Sequence, residues 1–407
     1  MHSTRHTEHA STTLLTLLLT AGACADGCTT TFNVLQVLGP ANETFAYGVS
    51  PDGSHAVGRN SLSGPACQGN CQAWRWSIDG PGGSIVPAGT NAQAVASSAG
   101  GSLVVGNPIG GNLPFRWDPT NGYALLPLLA GAVSGEVSDI SADGTRIVGR
   151  SNFSAGEQAM VIVDGTPSLL PPLPGDVAAE AKGISLDGST VVGVSRTSGS
   201  LSSRSPVRWS NGTAISLEPL PPNTSWAVAE AASTDGSVIV GSIEGSKGFF
   251  RWTAASGMVT LPVASGSVTG VSGDGSVVIG VGQLVANGPT GAIIWDAAHG
   301  ARFLQDALAN EWGVATPGWS FTTVEDVSEN GRMFVGYGWD PSNRRRAWSI
   351  VRETPPLADL TGDCRVDSAD LAALLLVWGA GTGPADFDGS GTVDATDLAV
   401  LLGAWTP

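Results

Sequence analysis

Two acidic loops near the C-terminus repeat one another and carry the clearest chemistry in the sequence. The first begins at Asp359 and the second 27 residues later, at Asp386. Each loop of twelve residues places oxygen-bearing side chains at positions 1, 3, 5, 9 and 12, with a backbone carbonyl at position 7. Hard cations such as Ca²⁺ are bound by oxygen ligands at this spacing, so the loops predict two calcium sites.

Each loop offers four carboxylates, one hydroxyl and one backbone carbonyl. The predicted ligands are Asp359, Thr361, Asp363, the Arg365 carbonyl, Asp367 and Asp370 in the first loop, and Asp386, Asp388, Ser390, the Thr392 carbonyl, Asp394 and Asp397 in the second. This much negative charge suits Ca²⁺, and the wrap is less suited to Mg²⁺. Position 6 favours glycine because it takes a positive φ; the second loop has Gly391 there, whereas the first has Cys364. We therefore expect the first site to be weaker.

An apolar run follows each loop and predicts the helix that positions it. The paired residues are Leu371/Leu398, Leu374/Leu401, Leu375/Leu402 and Trp378/Trp405. Their spacing predicts one apolar stripe on each helix, so that the two helices can pack together. Without metal the carboxylates repel one another and so small a segment has little core, so we expect calcium to be needed for its folding.

Residues 359–407 resemble a type I dockerin, a pair of loop–helix units with Asp at position 12 of each loop. The resemblance implies docking onto a cohesin-like or cell-surface protein. It places loop positions 10 and 11 at the partner surface, which here are Ser368 and Ala369, then Ala395 and Thr396. These are not the matched Ser-Thr pairs often seen in that family, so the identity of the partner stays open.

Seven copies of a phrase close to Val-Ser-x-Asp-Gly-Ser-x-Val-Val-Gly fill the middle of the chain. The closing glycines lie 39 to 56 residues apart, at Gly58, Gly106, Gly149, Gly193, Gly241, Gly280 and Gly336. That period matches a four-stranded blade and predicts an all-β, seven-bladed propeller over residues 30–353. An open solenoid is the alternative.

Asp-Gly pairs within five copies predict type I′ hairpins, in which both central residues take a positive φ. They are Asp52-Gly53, Asp143-Gly144, Asp187-Gly188, Asp235-Gly236 and Asp274-Gly275. We interpret these aspartates as turn residues and not as metal ligands. The seventh copy stops after its third strand, Ala347–Arg352, and Phe32–Leu38 precedes the first copy as an orphan fourth strand. Pairing these two would close the ring.

The array resembles the bacterial extracellular HAF-repeat family. The last copy matches best, through Leu304–Leu308, Gly318-Trp319, Val324–Gly336 and Arg346–Trp348. The resemblance implies secretion more than it implies any reaction.

Four glutamates are the candidate site residues of the propeller. Glu136 and Glu180 lie 13 residues before their closing glycines, and Glu230 and Glu325 lie 11 before theirs. Offsets that differ by two place side chains on one side of a strand. If this strand is innermost, the four gather at the channel mouth, where they bind a cation or polar glycan, or supply an acid/base pair for glycoside cleavage. Solvated strand-start charges are the alternative interpretation.

The mouth in question lies on the end of the propeller that carries longer loops, which we call the variable face. Its loops include Arg59–Ala73, Ser195–Ser205 and Asn310–Ser320, whereas the Asp-Gly turns form the opposite, turn face. Length variation on one face is typical of a binding face.

The charge and composition exclude several classes of function. The net charge is −16 and only two lysines occur, which argues against nucleic acid or an anionic membrane as a partner. After residue 25 the histidines are His55 and His299, which argues against a Ser-His-Asp arrangement or a His-based metal site.

The N-terminus predicts export. Residues 1–25 combine Arg5, the apolar run Leu14–Leu19 and small residues, a pattern typical of a signal peptide cleaved after Ala23 or Ala25. Lipidation at Cys24 is an alternative, and no other apolar run is long enough for a membrane helix. Export permits disulfides, and Cys67 and Cys71 predict a local one. Whether Cys28 pairs with Cys364 stays open.

The sequence thus predicts a signal peptide (1–25), a propeller (30–353), a linker (354–358) and a calcium module (359–407). The function expected is a secreted or cell-surface binding or display protein, with a glycan or protein ligand on the propeller. One alternative is a carbohydrate-active enzyme of polysaccharide catabolism, a glycoside hydrolase or polysaccharide lyase, carried by its dockerin. Another is a structural surface-layer component.

Overall fold

Seven antiparallel sheets succeed one another along the described chain; six have four strands, and the last has a fifth, Leu19–Ala23, at its outer edge. The structure is a computed structural model that describes residues 29–35, 43–61, 71–78, 80, 82–87, 90–197, 204–244, 248–353, 356–361, 365–379, 381 and 383–405, and the backbone alone of 19–23. The chain is a seven-bladed β-propeller with a small helical region after it, which confirms the predicted fold class and excludes the solenoid.

The four strands of a blade are consecutive in the sequence, except in blade seven, whose fourth strand is N-terminal. Blade one comprises Glu43–Val49, His55–Ser61, Cys71–Ser77 and Gly83–Ser84; blade two Ala92–Ser97, Val104–Pro108, Phe115–Asp118 and Gly122–Leu125; blade three Ser134–Ile140, Arg146–Phe153, Gly156–Val163 and Thr166–Leu169; blade four Ala178–Ile184, Thr190–Arg196, Ser205–Ser210 and Thr213–Ser216. Blade five comprises Ala227–Ala232, Val238–Ile243, Phe249–Thr253 and Gly257–Thr260; blade six Ser265–Val271, Val278–Gln283, Gly291–Asp296 and Gly300–Phe303; blade seven Ser320–Val327, Met333–Trp339, Arg345–Arg352 and Thr29–Val34.

The first strand of every blade is the innermost one. Each contacts the first strands of both neighbouring blades, so that Glu43–Val49 of blade one lies between Ala92–Ser97 and Ser320–Val327. The first strands therefore surround the channel, which is the arrangement on which the prediction for the four glutamates depended.

The ring closes through the N-terminal strand. Thr29–Val34 pairs antiparallel with Arg345–Arg352, with Phe32 opposite Ile350. The prediction of ring closure is confirmed, although the strand begins three residues earlier than expected. Phe32 is only 1% exposed, and its ring packs edge-on against Trp319 and Phe321 at 5.0 and 5.6 Å between centroids.

The closing glycine of each repeat has a steric cause. A Cβ at Gly193 would lie 2.1 Å from the Glu180 carbonyl oxygen, and one at Gly58 would lie 1.9 Å from that of Phe45. At each of the other five closing glycines, a Cβ would lie 2.0 to 2.5 Å from the equivalent first-strand carbonyl oxygen of its own blade. Any side chain there would force apart the two inner strands of the blade, so each repeat ends its second-strand motif on glycine.

The prediction of type I′ hairpins is wrong. In blade one the Gly53 amide donates to the Ser50 carbonyl at 2.8 Å, so the turn runs from Ser50 to Gly53. Gly53 has a φ of 73°, whereas Asp52 is not among the described residues with positive φ. The Asp52 carboxylate accepts from the hydroxyls of Ser50 at 2.6 Å and Ser54 at 2.8 Å. These side-chain bonds hold the aspartate inside a four-residue turn, and only the glycine after it takes the left-handed conformation.

Backbone hydrogen bonds also join the turns of neighbouring blades. The bonds run from Ala99 to Ala142 (2.9 Å), Ala142 to Leu186 (2.9 Å), Asp187 to Thr234 (3.0 Å), Thr234 to Gly273 (2.8 Å), Gly273 to Glu329 (2.8 Å) and Glu329 to Pro51 (2.8 Å), amide to carbonyl in each case. Pro51 lacks an N–H, so it accepts from blade seven and donates nothing to blade two. This belt makes the turn face a structural one.

Two short helices follow the propeller, at Ser368–Leu376 and Ala395–Gly403, and a third, Leu304–Asn310, lies between blades six and seven. Leu374 and Leu401 are fully buried in a small core with Val366 and Val393. The predicted apolar stripe is only half correct. Leu375 and Leu402 are about half exposed, and Trp378 and Trp405 lie beyond the helix ends and are also exposed.

The predicted signal peptide falls largely outside the described residues. Of residues 1–25 only the backbone of Leu19–Ala23 is described, as a strand beside Thr29–Val34. Cys24, Cys28, Cys67 and Cys364 lie outside the described residues as well, whereas Cys71 is disulfide-bonded. Among the helices that the structure describes, none has the length and apolarity to cross a membrane.

Candidate functional site

The two C-terminal loops fold in the same way at their helix ends. Asp367 caps the first helix and Asp394 the second, each accepting from the amide two residues later at 2.7 Å. Each forms a capping box, because the aspartate three residues on, Asp370 or Asp397, accepts from the amide of the cap residue at 2.9 Å. The two predicted position 9 ligands therefore also serve as helix caps.

The position 12 aspartates lie inside the loops that they close. Asp397 has no exposed surface and accepts from the amides of Phe387 at 2.6 Å and Asp394 at 2.9 Å. The bond from Asp394, together with those from Phe387 and Asp388, lowers the pKa of Asp397. Asp370 is equally buried and accepts from the Leu360 and Thr361 amides at 2.9 Å. Both carboxylates are held ionised, as a metal ligand must be.

The second loop brings three predicted ligands together. Carboxylate oxygens of Asp386, Asp388 and Asp397 all lie within 4.8 Å of one another. In the same loop, Oδ1 of Asp386 is buried and has no hydrogen-bond donor. Three carboxylates at this separation, together with a desolvated and unpaired carboxylate oxygen, fit the donor set of a hard cation. Ser390 lies at the rim, where its hydroxyl donates to the Thr392 carbonyl at 3.1 Å.

The first loop is described in part. The Thr361 hydroxyl lies 3.0 Å from Asp370 Oδ1 and 3.3 Å from Asp359 Oδ1, so positions 1, 3 and 12 approach one another. Asp363 and Cys364 lie outside the described residues, and Arg365 is exposed. The expected difference in affinity between the loops therefore stays a prediction.

The predicted partner-binding residues form part of an exposed surface. Ser368, Ala369, Ala395 and Thr396 are all exposed at the starts of the two helices. Large apolar side chains are exposed in the same module, with 87% of Leu376 and 45% of Trp378 open to solvent. These side chains add apolar surface to the exposed part of the module.

In the propeller, a bulge in each first strand directs one residue toward the axis. The seven equivalent bulge residues are Tyr47, Val95, Ser138, Lys182, Glu230, Thr269 and Glu325, and all of them line a channel cavity of about 150 Å³. Burial raises the pKa of Glu230 and of Glu325 to about 7 in each case. These two candidates therefore face the channel itself.

The other two glutamates lie two residues before the bulge and belong to an ion cluster between blades three and four. Glu180, with 7% of its side chain exposed, pairs with Arg150 at 2.8 Å, Lys182 at 2.9 Å and Arg196 at 3.0 Å. Glu136 is more exposed and pairs with Arg150 at 2.7 Å. The structure thus splits the predicted set of four into a channel pair, Glu230 and Glu325, and a cluster pair, Glu136 and Glu180.

Several residues of this mouth were missed by the sequence interpretation. Arg150, Arg196 and Glu157 complete the ion cluster, with Glu157 accepting from both arginines. Asp139 and Asp326 line the channel at a position where the other blades have Gly or Ala. Asp139 accepts from the Ile184 amide of the next blade at 2.9 Å, and burial raises its pKa to about 6. Comparing this position between repeats would have singled out both aspartates.

The opposite side of the mouth, on blades seven and one, is aromatic and cationic. Arg59 lies over the Phe45 ring at 4.5 Å and donates to the Tyr47 hydroxyl at 2.7 Å. Arg345 lies over Trp339 at 4.9 Å. The mouth is therefore asymmetric, with mixed charges on blades three to five and arginine-covered aromatic rings across from them.

No protein-family model and no curated protein sequence matches the chain. Several solved structures are similar to it. Puromycin hydrolase aligns with a TM-score of 0.52 at 16% identity over 77% of this chain and 52% of that one, so this chain spans about half the length of that enzyme. A streptogramin B lyase aligns at 0.49 and 13% identity (80% and 98% covered), and a putative TolB from Agrobacterium tumefaciens at 0.40 and 14% (67% and 94% covered). At 16% identity the likeness to puromycin hydrolase shows the fold alone.

Proposed function

We propose that the chain is a secreted or cell-surface binding or display protein, whose propeller is attached to a partner through a calcium-dependent, dockerin-like C-terminal module. The observation that carries the proposal is the convergence of Asp386, Asp388 and Asp397 within 4.8 Å. Three anions so close together are unfavourable without a cation, and the buried Oδ1 of Asp386, which has no hydrogen-bond donor, is suited to be a metal ligand.

Calcium would act on this module as a folding ligand. The core of the module is small, and its best-buried apolar residues are Val366, Leu374, Val393 and Leu401. Cation binding to the folded loops adds stability that such a core cannot supply. The exposed residues at the helix starts and the exposed Leu376 and Trp378 then form the surface for a cohesin-like partner.

Export is supported by the disulfide at Cys71. Disulfides persist in oxidising compartments and are rare in reducing ones. The predicted signal peptide agrees with this, and so does the resemblance to extracellular repeat proteins. The propeller ligand is then an extracellular molecule, and the asymmetric mouth on the variable face is where we expect it to bind.

The enzyme alternative is not favoured by the cluster pair. A glycoside hydrolase needs one carboxyl that can donate a proton, with its pKa raised toward neutrality. Glu180 pairs with three cations and Glu136 with one, so protein side chains already engage both carboxylates. In these pairs the two residues are not placed to act on a substrate as the acid and the base that the sequence interpretation allowed.

Calorimetric titration of the full-length protein with Ca²⁺ tests the attachment module. We expect binding heat and a change in tryptophan fluorescence with Ca²⁺, and much weaker effects with Mg²⁺. Asp388→Asn should weaken one site at least tenfold and leave the other unchanged. Asp306→Asn, at an exposed aspartate of the propeller, is the matched control. Absence of calcium heat, or equal affinities in wild type and Asp388→Asn, would refute the proposal.

A further inference from the structure

The cleft between blades three, four and five contains one arginine that the ion cluster leaves unused. The cleft has a volume of about 620 Å³, and its lining includes Arg150, Arg196, Arg204 and Lys182. Arg150, Lys182 and Arg196 are paired with Glu136, Glu157 and Glu180. Among the described residues no carboxylate lies within salt-bridge distance of Arg204, and its Nε is buried without a hydrogen-bond acceptor.

Arg204 is also held in a defined orientation. Its guanidinium lies over the ring of Trp226, with 5.0 Å between the Cζ atom and the ring centroid. The aromatic face attracts the guanidinium and limits its movement, and a guanidinium binds planar acceptors through paired N–H donors. Glu230 interacts with this guanidinium at longer range but forms no ion pair with it, so the site is suited to a carboxylate brought by a ligand.

The rest of the lining suits hydroxyl groups. Glu157 and Glu230 offer acceptors, Asn152 and Lys182 offer donors, and Phe153 offers an apolar ring face. A sugar needs this mixture because each hydroxyl both donates and accepts. Burial raises the pKa of Glu230 to about 7, so near neutrality this carboxyl is partly protonated and repels an anionic ligand less. The cleft volume is in the usual range for small-ligand sites.

We propose that this cleft binds an acidic saccharide, with Arg204 pairing to the sugar carboxylate. This inference rests on the proposed function, because it names the ligand class of the same binding face. The first strands of blades four and five, which help to line the cleft, are edge strands of their sheets, so an acidic peptide is the competing ligand and is included in the test below.

Binding of a galacturonic acid trimer to the full-length protein tests the proposal, with a neutral galactose trimer and a glutamate tripeptide as comparison ligands. We expect the acidic trimer to bind in a salt-dependent manner, and the neutral trimer and peptide to bind at least tenfold more weakly. Arg204→Gln should weaken acidic-trimer binding about tenfold or more. Arg208→Gln is the matched control, because Arg208 stacks on Trp252 at 5.2 Å and has an unpartnered Nε, but does not line the cleft.

Arg204→Lys keeps the charge and loses the planar pair of donors, so an intermediate affinity is expected even if the glutamine variant folds poorly. Equal affinity for the acidic and neutral trimers, tighter binding of the peptide, or unchanged binding in Arg204→Gln would each overturn the inference. The calcium titration of the same samples separates the two proposals. A normal calcium response without saccharide binding contradicts only the ligand assignment, whereas saccharide binding without a calcium response contradicts only the attachment function.

Discussion

Phe32→Ala tests the closure of the ring, because this residue lies in the strand that joins the two ends of the propeller. Phe32 pairs with Ile350 across the closing ladder and is 1% exposed. Its ring contacts those of Trp319 and Phe321, which come from the other end of the repeat array. Removal of the ring therefore opens a cavity at the junction of N-terminal and C-terminal segments.

The expected loss can be estimated from the burial. A fully buried phenylalanine replaced by alanine costs about 3–5 kcal/mol, which combines lost transfer free energy with the residual cavity. Part of this is the edge-on aromatic pairing, which contributes about 0.5–1.5 kcal/mol beyond area burial. For a propeller of this size the change corresponds to a decrease of about 5–7 °C in melting temperature.

Urea unfolding followed by far-UV circular dichroism measures the loss. Phe250→Ala is the positive control, since Phe250 is fully buried within blade five and takes no part in closure. Leu169→Ala, at an outer-strand residue that is 51% exposed, should change stability by about 0.5 kcal/mol or less. If Phe32→Ala loses less than about 1 kcal/mol while Phe250→Ala loses about 3 kcal/mol or more, the N-terminal strand does not close the ring.

Two further predictions concern the inner strands. Gly193→Ala should lower the free energy of unfolding by about 1–3 kcal/mol, because the new Cβ meets the Glu180 carbonyl. Gly83 has open space around it, so Gly83→Ala should leave the stability nearly unchanged in the same urea assay. Equal losses in the two variants would contradict the steric account of the closing glycines. Burial raises the pKa of Glu325 from 4.5 to about 7, so the folded state binds protons more tightly than the unfolded chain and this carboxyl's contribution to stability falls as pH rises between those values. Glu325→Gln should therefore gain stability relative to wild type between pH 5 and pH 8, and parallel pH dependences of the two proteins would refute this.

The repeat pattern was sufficient to predict the propeller because contacts within each blade require the same residue type at the same place in every copy. Each closing glycine meets a carbonyl of its own blade, so the requirement recurs in every copy and is visible as seven glycines. The orphan strand was predictable for a related reason, since a closed ring needs four strands in every blade and the last copy lacked one. The turn type was not predictable, because it depends on which backbone groups the aspartate and serine side chains bind.

The candidate sites were predictable to different degrees. The ligand positions of the calcium loops follow from spacing within twelve residues, and three of them come together in the second loop. The glutamates of the mouth were found, but the partners that decide their chemistry come from other strands and other blades. Glu180 meets Arg150 of blade three, and Arg204 meets Trp226 of blade five, through contacts between residues far apart in sequence.

The sequence by itself determined the number of blades, the closing strand and the spacing of the acidic loops, because each is set by interactions within a repeat or a loop. Only the tertiary structure decided which of the described carboxylates form ion pairs, and that Arg204 forms none with them. Those outcomes depend on distances between side chains of different blades, and such distances cannot be read from the spacing of residues along one sequence. The acidic loops therefore predict a calcium-dependent attachment module, and the packing of blades three to five forms the cleft for which we propose a saccharide ligand.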